Sequence, residues 1–262
     1  MLFDLITSDR VIASLKTGRF GKTVHAFWQV GSTNRFATRA AARGEPEGTL
    51  VIAEMQKRGK GRLKRSWDSR FGKGLWFSII LRPSFPAPKA GLLTYLAGVS
   101  VAQAVENVTG LIPDFKWPND LLYKNKKFCG ILSEVEFIDG QINFIVLGIG
   151  INVLHRKSDF PGILSQNATS IVIETSKKAD RIELLSEIMA RLETNYDLCS
   201  VQGFGSIIEY WKSRCPLLGS EIRVSHNNQH LNGIFEDLDE NGCLMLRKSD
   251  GSLTRVVAGD MY

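Results

Sequence analysis

Cysteine is scarce in this sequence and widely spread. None of the four cysteines lies in a CxxC pair. Disulfide frameworks and cysteine-based zinc sites need cysteines at close, regular spacings, so the sequence argues against both classes of protein. We expect four buried, reduced thiols.

Long apolar runs are absent as well. The longest candidate, Phe144–Ile151, is much shorter than the roughly 20 residues that a membrane-spanning helix needs. The opening residues, MLFDLITSDR, lack the basic start, apolar stretch and small-residue cleavage site of a signal peptide. The sequence thus predicts a cytoplasmic protein with no membrane partner.

Metal-binding patterns are equally sparse. Among the four histidines only His226 and His230 are closely spaced, and the polar run SHNNQH that contains them is typical of a hairpin turn. Without a Glu beside the first His or a cysteine pair nearby, this spacing does not indicate a zinc site. The sequence leaves any metal ligands unidentified.

Positive charge, by contrast, is in excess. The formal net charge is +6, and the excess is concentrated between Lys57 and Lys73, where the only acidic residue is Asp68. Such a cluster is typical of a solvated surface, of a nucleic-acid-binding patch, or of a site for a smaller polyanion such as a nucleotide. Charge alone does not decide among the three.

Hydrophobic periodicity predicts an α+β domain to about residue 215, followed by a small all-β domain. The predicted helices are 8–16, 33–43 with Ser32 or Thr33 as its N-cap, 88–109, 180–199 and 204–214. The predicted strands are 23–30, 50–53 and 75–81, and the pair Asp139-Gly140 predicts a hairpin between two further strands. From 219 to 262, short strands and polar turns predict an antiparallel barrel of four or five strands.

Two motifs in the first part of the chain place polar groups where predicted strands end. GSTN, at 31–34, offers hydroxyls, a carboxamide and the free amides of a helix start to one small ligand. The stretch Gln56–Trp67 combines glycines with Lys and Arg, which lets the backbone approach an anion, although the Walker A spacing is absent. Each motif alone is equally compatible with an ordinary helix cap or a solvated loop.

Two further motifs follow. KWPND, at 116–120, precedes Lys127 and a Gly-Ile-Leu run, and Asp120 and Lys127 flank a predicted short hairpin. A carboxylate and an ammonium group could therefore lie at one site. GIGIN, at 148–152, ends a buried strand, but it is too short and in the wrong context for a dinucleotide-binding fingerprint.

In this order and spacing, the motifs GSTN, QxxGxGR…RxW, KWPND, KxxGIL and GIGIN resemble those of biotin protein ligases, also called biotin–[acetyl-CoA-carboxylase] ligases. The resemblance extends from about residue 8 to the final AGDMY. It implies a catalytic domain, residues 1–215, with the mixed sheet and helices shared with class II aminoacyl-tRNA synthetases, and an SH3-like β-barrel, residues 216–262. It also implies that ATP and biotin, with Mg²⁺, give biotinyl-5′-AMP and pyrophosphate, and that biotin then passes to one lysine of a biotin carboxyl carrier protein.

The resemblance assigns roles to particular residues. The implied biotin pocket comprises Ser32, Thr33, Asn34, Gln56, Lys60, Gly61, Arg62 and Lys127. The implied ATP site comprises Arg62, Arg65, Trp67, Lys127 and Asn152, and the implied catalytic residues are Arg62, Lys127 and Asp120. The cations would offset the repulsion between the biotin carboxylate and ATP, Trp67 would stack on or shield the adenine, and Asp120 would orient the acceptor lysine.

The sequence departs from the family pattern in the basic stretch. The usual Gly-Arg-Gly-Arg core reads Gly59-Lys60-Gly61-Arg62, and Lys64 stands where Gly is common. Lys60 keeps the charge but not the bidentate geometry of arginine, so the retention of the adenylate is left open. Many relatives carry an N-terminal helix-turn-helix, whereas this chain opens near the catalytic domain, so we expect no DNA partner.

Three alternatives remain beside this hypothesis. A lipoate-protein ligase would use similar chemistry but would need a longer apolar slot than GSTN and Gln56 suggest. A nucleic-acid-binding protein using 57–73 would need more stacking aromatics than Trp67 and Phe71. A protein-interaction module built on the C-terminal barrel leaves KWPND unexplained. The sequence also leaves open a homodimer and the choice of carrier proteins.

Overall fold

The computed structural model describes residues 5–226 and 229–261. The helices are α1 (Ser8–Ser14), α2 (Thr33–Ala42), α3 (Leu92–Thr109), α4 (Leu164–Asn167), α5 (Ile171–Thr175), α6 (Arg181–Gln202) and α7 (Gly205–Ser213). The strands are β1 (Val24–Phe27), β2 (Leu50–Ala53), β3 (Gly74–Leu81), β4 (Asp114–Lys116), β5 (Asp120–Tyr123), β6 (Lys126–Ile138), β7 (Gln141–Asn152), β8 (Glu221–His226), β9 (Gln229–Leu238), β10 (Leu244–Arg247), β11 (Leu253–Val256) and β12 (Asp260–Met261). None of the helices in these ranges has the length and apolar character needed to cross a membrane.

Within the described ranges, seven strands form one mixed sheet in the order β1-β2-β3-β7-β6-β5-β4. β1 and β2 are parallel, whereas the other neighbouring strands are antiparallel. Side chains alternate between the two faces of a strand. In β3, Ile79 lies in the cluster that includes α3 and α6, and Ile80 lies in the cluster that includes α2. The sheet is therefore the middle of three layers, with helices on both faces.

The face that α2 covers changes character beyond the N-terminus of that helix. Under the helix it carries Ile80 and Val146, which pair across β3 and β7. Two residues further along the same strands, the cross-strand partners are Ser78 and Gly148. Because small and polar residues replace the apolar ones where the helix no longer covers the sheet, a hollow is left there.

A second, antiparallel sheet follows in the order β11-β10-β9-β8-β12. It packs tightly on the first part of the chain, since Phe235 and Leu244 belong to the same buried cluster as Leu96 of α3. The indole Nε1 of Trp117 donates a hydrogen bond to the carbonyl oxygen of Gly242, at 3.4 Å. The shared core and this hydrogen bond hold the second sheet against the first part of the chain.

The α+β architecture predicted from the sequence is confirmed. β2 spans the predicted residues 50–53, and the Asp139-Gly140 turn joins β6 to β7 with both residues in the left-handed region, at φ 50° and 77°. α3 begins at Leu92 rather than at 88, because Pro86 starts a separate short turn before it. The turn predicted in SHNNQH includes residues 227 and 228, which lie outside the described residues.

The sequence prediction misses two short helices and agrees with the number of strands in the tail. α4 and α5 were not predicted, since each is too short for helical periodicity to be visible. The tail holds five described strands, at the upper end of the predicted number. The domain boundary at 215/216 and the SH3-like character of the second sheet stay predictions.

Candidate active site

The hollow beside α2 opens into a cavity that is partly open to solvent. The N-terminus of α2, the loop that follows β2, and strands β5, β6 and β7 enclose it. Its lining residues are Ser32, Thr33, Asn34, Gln56, Lys60, Gly61, Arg62, Arg65, Ser66, Trp67, Phe77, Asn119, Asp120, Lys127, Gly130, Ile131, Leu132, Gly148, Ile149, Gly150 and Asp260. The structure thus brings together all of the site residues predicted from the sequence except Asn152.

One end of the cavity is a network of uncharged polar groups. Ser32 caps α2, and the next backbone amide, of Thr33, donates to Gln56 Oε1 at 2.8 Å. The buried hydroxyl of Ser78 lies 2.7 Å from Asn34 Oδ1 and 2.8 Å from Thr33 Oγ1. These groups offer both donors and acceptors in fixed positions, which suits a neutral ligand with a cyclic amide or urea.

Glycines form the floor of the cavity. Gly130 of β6 pairs with Gly150 of β7, and a Cβ atom on either one would come within 2.8 Å of the Trp67 indole. A Cβ atom on Gly148 would lie 1.9 Å from Asn34 Oδ1. Only glycine leaves room for these two side chains to lie against the sheet, which explains the two glycines of GIGIN.

The basic loop, residues 57–65, forms part of the roof of the cavity. It closes on itself, because the amide of Gly61 donates to the carbonyl oxygen of Arg65 at 2.8 Å. At its tip, Leu63 and Lys64 adopt the left-handed region, at φ 52° and 60°. A Gly at position 64 would adopt this conformation without strain, whereas the side chain of the lysine found there makes the conformation costly.

Two arginines of the loop turn toward the second sheet. Arg62 donates to Asn119 Oδ1 and to the carbonyl oxygen of Gly259, both at 3.1 Å. Its guanidinium lies 3.9 Å from Asp260, to which Arg65 also donates a hydrogen bond. Burial lowers the pKa of Arg62, and the charge of Asp260 opposes that shift. β12 therefore supplies a carboxylate, that of Asp260, to the basic loop.

Two lysines at the cavity are also paired with carboxylates. Lys127 Nζ lies 2.6 Å from Asp120 Oδ1 and 5.1 Å from the centre of the Trp67 ring. Lys60 Nζ lies 2.8 Å from Glu134 Oε1. The cationic groups predicted for the site are thus brought around one cavity and held by carboxylates from β5, β6 and β12.

Asn152 is the predicted site residue that does not line the cavity. It continues the face of β7 that carries Gly150, but its Nδ2 donates to the carbonyl oxygen of Thr169 at 3.0 Å. The side chain is buried, so it fixes the segment after α4 against the sheet. Its predicted contact with ATP stays a prediction.

Several lining or supporting residues escaped the sequence prediction. Asn119 lies within KWPND, but no role was predicted for it, although its Oδ1 accepts a hydrogen bond from Arg62. Ser78 of β3 and Glu134 of β6 lie within regular strands, and no local sequence motif marks either one as a site residue. Asp260 is far from the loop in sequence, so its ion pairs are visible only in the fold.

The described residues include no group of three or more His, Cys, Asp or Glu side chains that could hold a metal ion. Mg²⁺ in nucleotide sites is usually held by one or two carboxylates together with phosphate oxygens and water. A metal cage built by the described residues alone is therefore not supported.

Comparison with known proteins identifies the family. Residues 27–152 match the model of the biotin/lipoate A/B protein ligase family, and residues 217–262 match that of the biotin protein ligase C-terminal domain. The bifunctional ligase/repressor BirA of Bacillus spizizenii is 35% identical over 258 residues, covering 98% of this chain and 78% of that protein. The biotin–[acetyl-CoA-carboxylase] ligase of Mycobacterium tuberculosis is 31% identical, over 89% of this chain and 86% of that protein.

This chain belongs to the biotin protein ligase family. The fold agrees with that assignment. The biotin protein ligase of Aquifex aeolicus, solved in complex with biotin and ATP, superimposes with a TM-score of 0.79 at 28% identity, covering 92% of this chain and 98% of that one. Each of the biotin protein ligase motifs recognised in the sequence contributes residues to the lining of the cavity.

Proposed function

We propose that this chain is an ATP-dependent biotin protein ligase. It activates biotin as biotinyl-5′-AMP, releases pyrophosphate, and transfers biotin to a lysine of a biotin carboxyl carrier protein. The observation that carries this proposal is one cavity with an uncharged polar end, at Thr33, Asn34 and Gln56, and a cationic end, at Arg62 and Lys127. Biotin has a urea ring, which suits the uncharged polar end, and a carboxylate that must react with a phosphate of ATP, which suits the cationic end. A biotin-activating enzyme therefore needs both ends in one cavity.

The first half-reaction joins two anions. A carboxylate oxygen of biotin attacks the α-phosphorus of ATP, an oxygen–phosphorus bond forms, and the bond to the pyrophosphate leaving group breaks. Fixed cations lower the barrier because they stabilise the negative charge that develops on the oxygens around the α-phosphorus. Arg62 and Lys127 are suited to this role because the fold already holds both at the cavity.

The second half-reaction needs a neutral amine. The acceptor lysine attacks the carbonyl carbon of the mixed anhydride, an amide bond forms, and AMP leaves. A free lysine has a pKa near 10.4 and is mostly protonated at neutral pH. Asp120 is a carboxylate that lines the cationic end beside Lys127, so it can hold the incoming ammonium and accept its proton.

The finer parts of the hypothesis rest on the same geometry. Trp67, packed on the glycine floor beside Lys127, presents a ring against which adenine can lie. Mg²⁺ would enter with the phosphates of ATP. A subunit of acetyl-CoA carboxylase or a similar carboxylase as carrier and a cytoplasmic location stay predictions, and a homodimer stays open.

Biotin-dependent exchange of labelled pyrophosphate into ATP tests the function directly. We expect exchange with biotin and not with lipoate, and subsequent labelling of a carrier domain at its lysine. Exchange with lipoate in place of biotin would contradict the proposal and favour a lipoate ligase. Tight binding of nucleic acid without any exchange would favour the alternative of a nucleic-acid-binding protein.

A further inference from the structure

Glu134 connects the basic loop to the polar end of the cavity. It lies on β6, and one carboxylate oxygen, Oε1, accepts from Lys60 Nζ at 2.8 Å. The other oxygen, Oε2, accepts from Asn34 Nδ2 at 2.9 Å. One side chain thus contacts the roof of the cavity and the proposed biotin pocket at the same time.

This contact fixes the orientation of the Asn34 carboxamide. An ionised carboxylate only accepts hydrogen bonds, so it selects the NH₂ side of Asn34. The carbonyl side, Oδ1, then points to the Ser78 hydroxyl at 2.7 Å, and Asn34 Nδ2 is also 3.3 Å from the carbonyl oxygen of Leu132. With both sides assigned, the amide presents one defined pattern to a ligand in the pocket.

The residues that follow the basic loop are also hydrogen-bonded to the proposed biotin pocket. Gln56, which accepts from the Thr33 amide, donates through Nε2 to Ser69 Oγ at 2.9 Å. Ser69 in turn contacts the carbonyl oxygen of Trp67 at 3.4 Å. Glu134 and Gln56 therefore contact the chain on both sides of the tip of the basic loop, at Lys60 and at Ser69.

We propose that Glu134 is a positioning residue for the ligase reaction. It sets the donor and acceptor pattern of the pocket through Asn34 and holds the basic loop over the cavity through Lys60. This inference rests on the proposed function, which it extends by naming a residue that acts through two others.

A simple surface ion pair does not account for this arrangement. The side chains of Lys60 and Glu134 are 46% and 35% exposed, and exposed pairs of this kind contribute little to stability. Asn34, in contrast, is buried, so an unpaired amide there is costly. Loss of Glu134 is therefore expected to reorient the Asn34 amide, which weakens substrate binding, besides lowering the free energy of unfolding.

Three variants separate these possibilities. Glu134→Ala removes both contacts, whereas Glu134→Gln retains a carbonyl oxygen that can accept from Asn34 but loses the ion pair with Lys60. Glu136→Ala removes an exposed carboxylate two residues along the same face of β6 and serves as the matched control. Pyrophosphate exchange gives the KM for biotin, the KM for ATP and kcat, and trypsin digestion without ligands reports cutting within 57–65.

We expect Glu134→Ala to raise the KM for biotin roughly 10- to 100-fold, as for loss of a charge-assisted hydrogen bond, with a much smaller change in kcat. Glu134→Gln should restore most of the biotin KM but, like Glu134→Ala, should be cut faster in the loop. Glu136→Ala should match the wild type in both measurements.

Equal biotin KM values in Glu134→Ala and Glu136→Ala would overturn the inference, as would a Glu134→Gln variant as impaired as Glu134→Ala. If the wild type shows no biotin-dependent exchange, the proposed function fails instead. The digestion still decides whether Glu134 holds the loop, since unchanged cutting in both Glu134 variants contradicts that role.

Discussion

The ammonium nitrogen of Lys127 lies 2.6 Å from the carboxylate oxygen Oδ1 of Asp120. The two residues belong to adjacent strands, β5 and β6, which a tight turn at Lys124 and Asn125 connects with both residues at positive φ. The short hairpin predicted from the sequence is thus what holds the two opposite charges together. Because the two groups are proposed to serve different half-reactions, substitution of each one should have a different effect.

Lys127→Ala should impair formation of the adenylate. The change removes a cation that lies at the proposed meeting point of carboxylate and phosphate, so we expect kcat/KM for biotin in pyrophosphate exchange to fall roughly 10- to 150-fold. Lys124→Ala, in the exposed turn, is the matched control and should retain full exchange. Unchanged exchange at subsaturating biotin in the Lys127 variant would contradict the role.

Asp120→Asn should separate the two half-reactions. The amide cannot accept a proton from the acceptor lysine, so transfer from preformed biotinyl-5′-AMP to a carrier domain should fall at least about 10-fold more than exchange does. Both rates are measured on the same preparation. Equal losses in the two assays would indicate a role in binding or folding instead.

Gly148→Ala should disturb the proposed biotin pocket. The new methyl group would lie 1.9 Å from Asn34 Oδ1, so Asn34 must move, and overpacking of this kind costs about 1–3 kcal/mol. We expect a raised KM for biotin with a smaller effect on the KM for ATP, both measured by exchange. Gly205→Ala, where a Cβ atom meets nothing within 4 Å, is the control. An unchanged biotin KM would place biotin elsewhere.

His155 should make stability depend on pH. Burial lowers its pKa to about 4, well below the value near 6.5 of an unfolded chain. Between these values the unfolded chain binds the proton and the folded chain does not. The free energy of unfolding should therefore fall as the pH is lowered from about 6.5 towards 4.

The size of this effect follows from the shift in pKa. His155→Phe, which retains a ring against Phe160, should reduce the difference between urea-unfolding free energies at pH 7 and 4.5 by roughly 2–3 kcal/mol. His230→Gln, at an exposed position, should leave that difference unchanged. Identical differences in wild type and His155→Phe would show that another group controls acid unfolding.

Local patterns predicted much of the fold and of the site. The Ser32 cap, the Asp139-Gly140 turn and β2 each depend on short-range chemistry, and all three are found as predicted. Contacts between distant segments were not predictable in this way. Asp260 contacts Arg65 from the far end of the chain, and no spacing or propensity encodes that approach.

Glu134 illustrates a second reason why part of the site could not be predicted from the sequence. On β6 it is one of several acidic or polar residues in an alternating hairpin, and its neighbour Glu136 has the same chemistry. What distinguishes the two is distance to α2, since Glu134 reaches Asn34 and Lys60. That distance depends on the stagger of β6 against β7, which only the folded sheet defines.

The pairing of cations and carboxylates around the cavity has a consequence for ionic strength. Four cationic side chains, Lys60, Arg62, Arg65 and Lys127, share three carboxylates, Glu134, Asp260 and Asp120. When ATP binds, its phosphate groups can therefore displace one of these carboxylates from its cation, rather than anions that the cation had bound from solution. Because few salt ions are then released on binding, the affinity for ATP should change only weakly with salt concentration, unlike that of a protein whose free cations bind a nucleic acid.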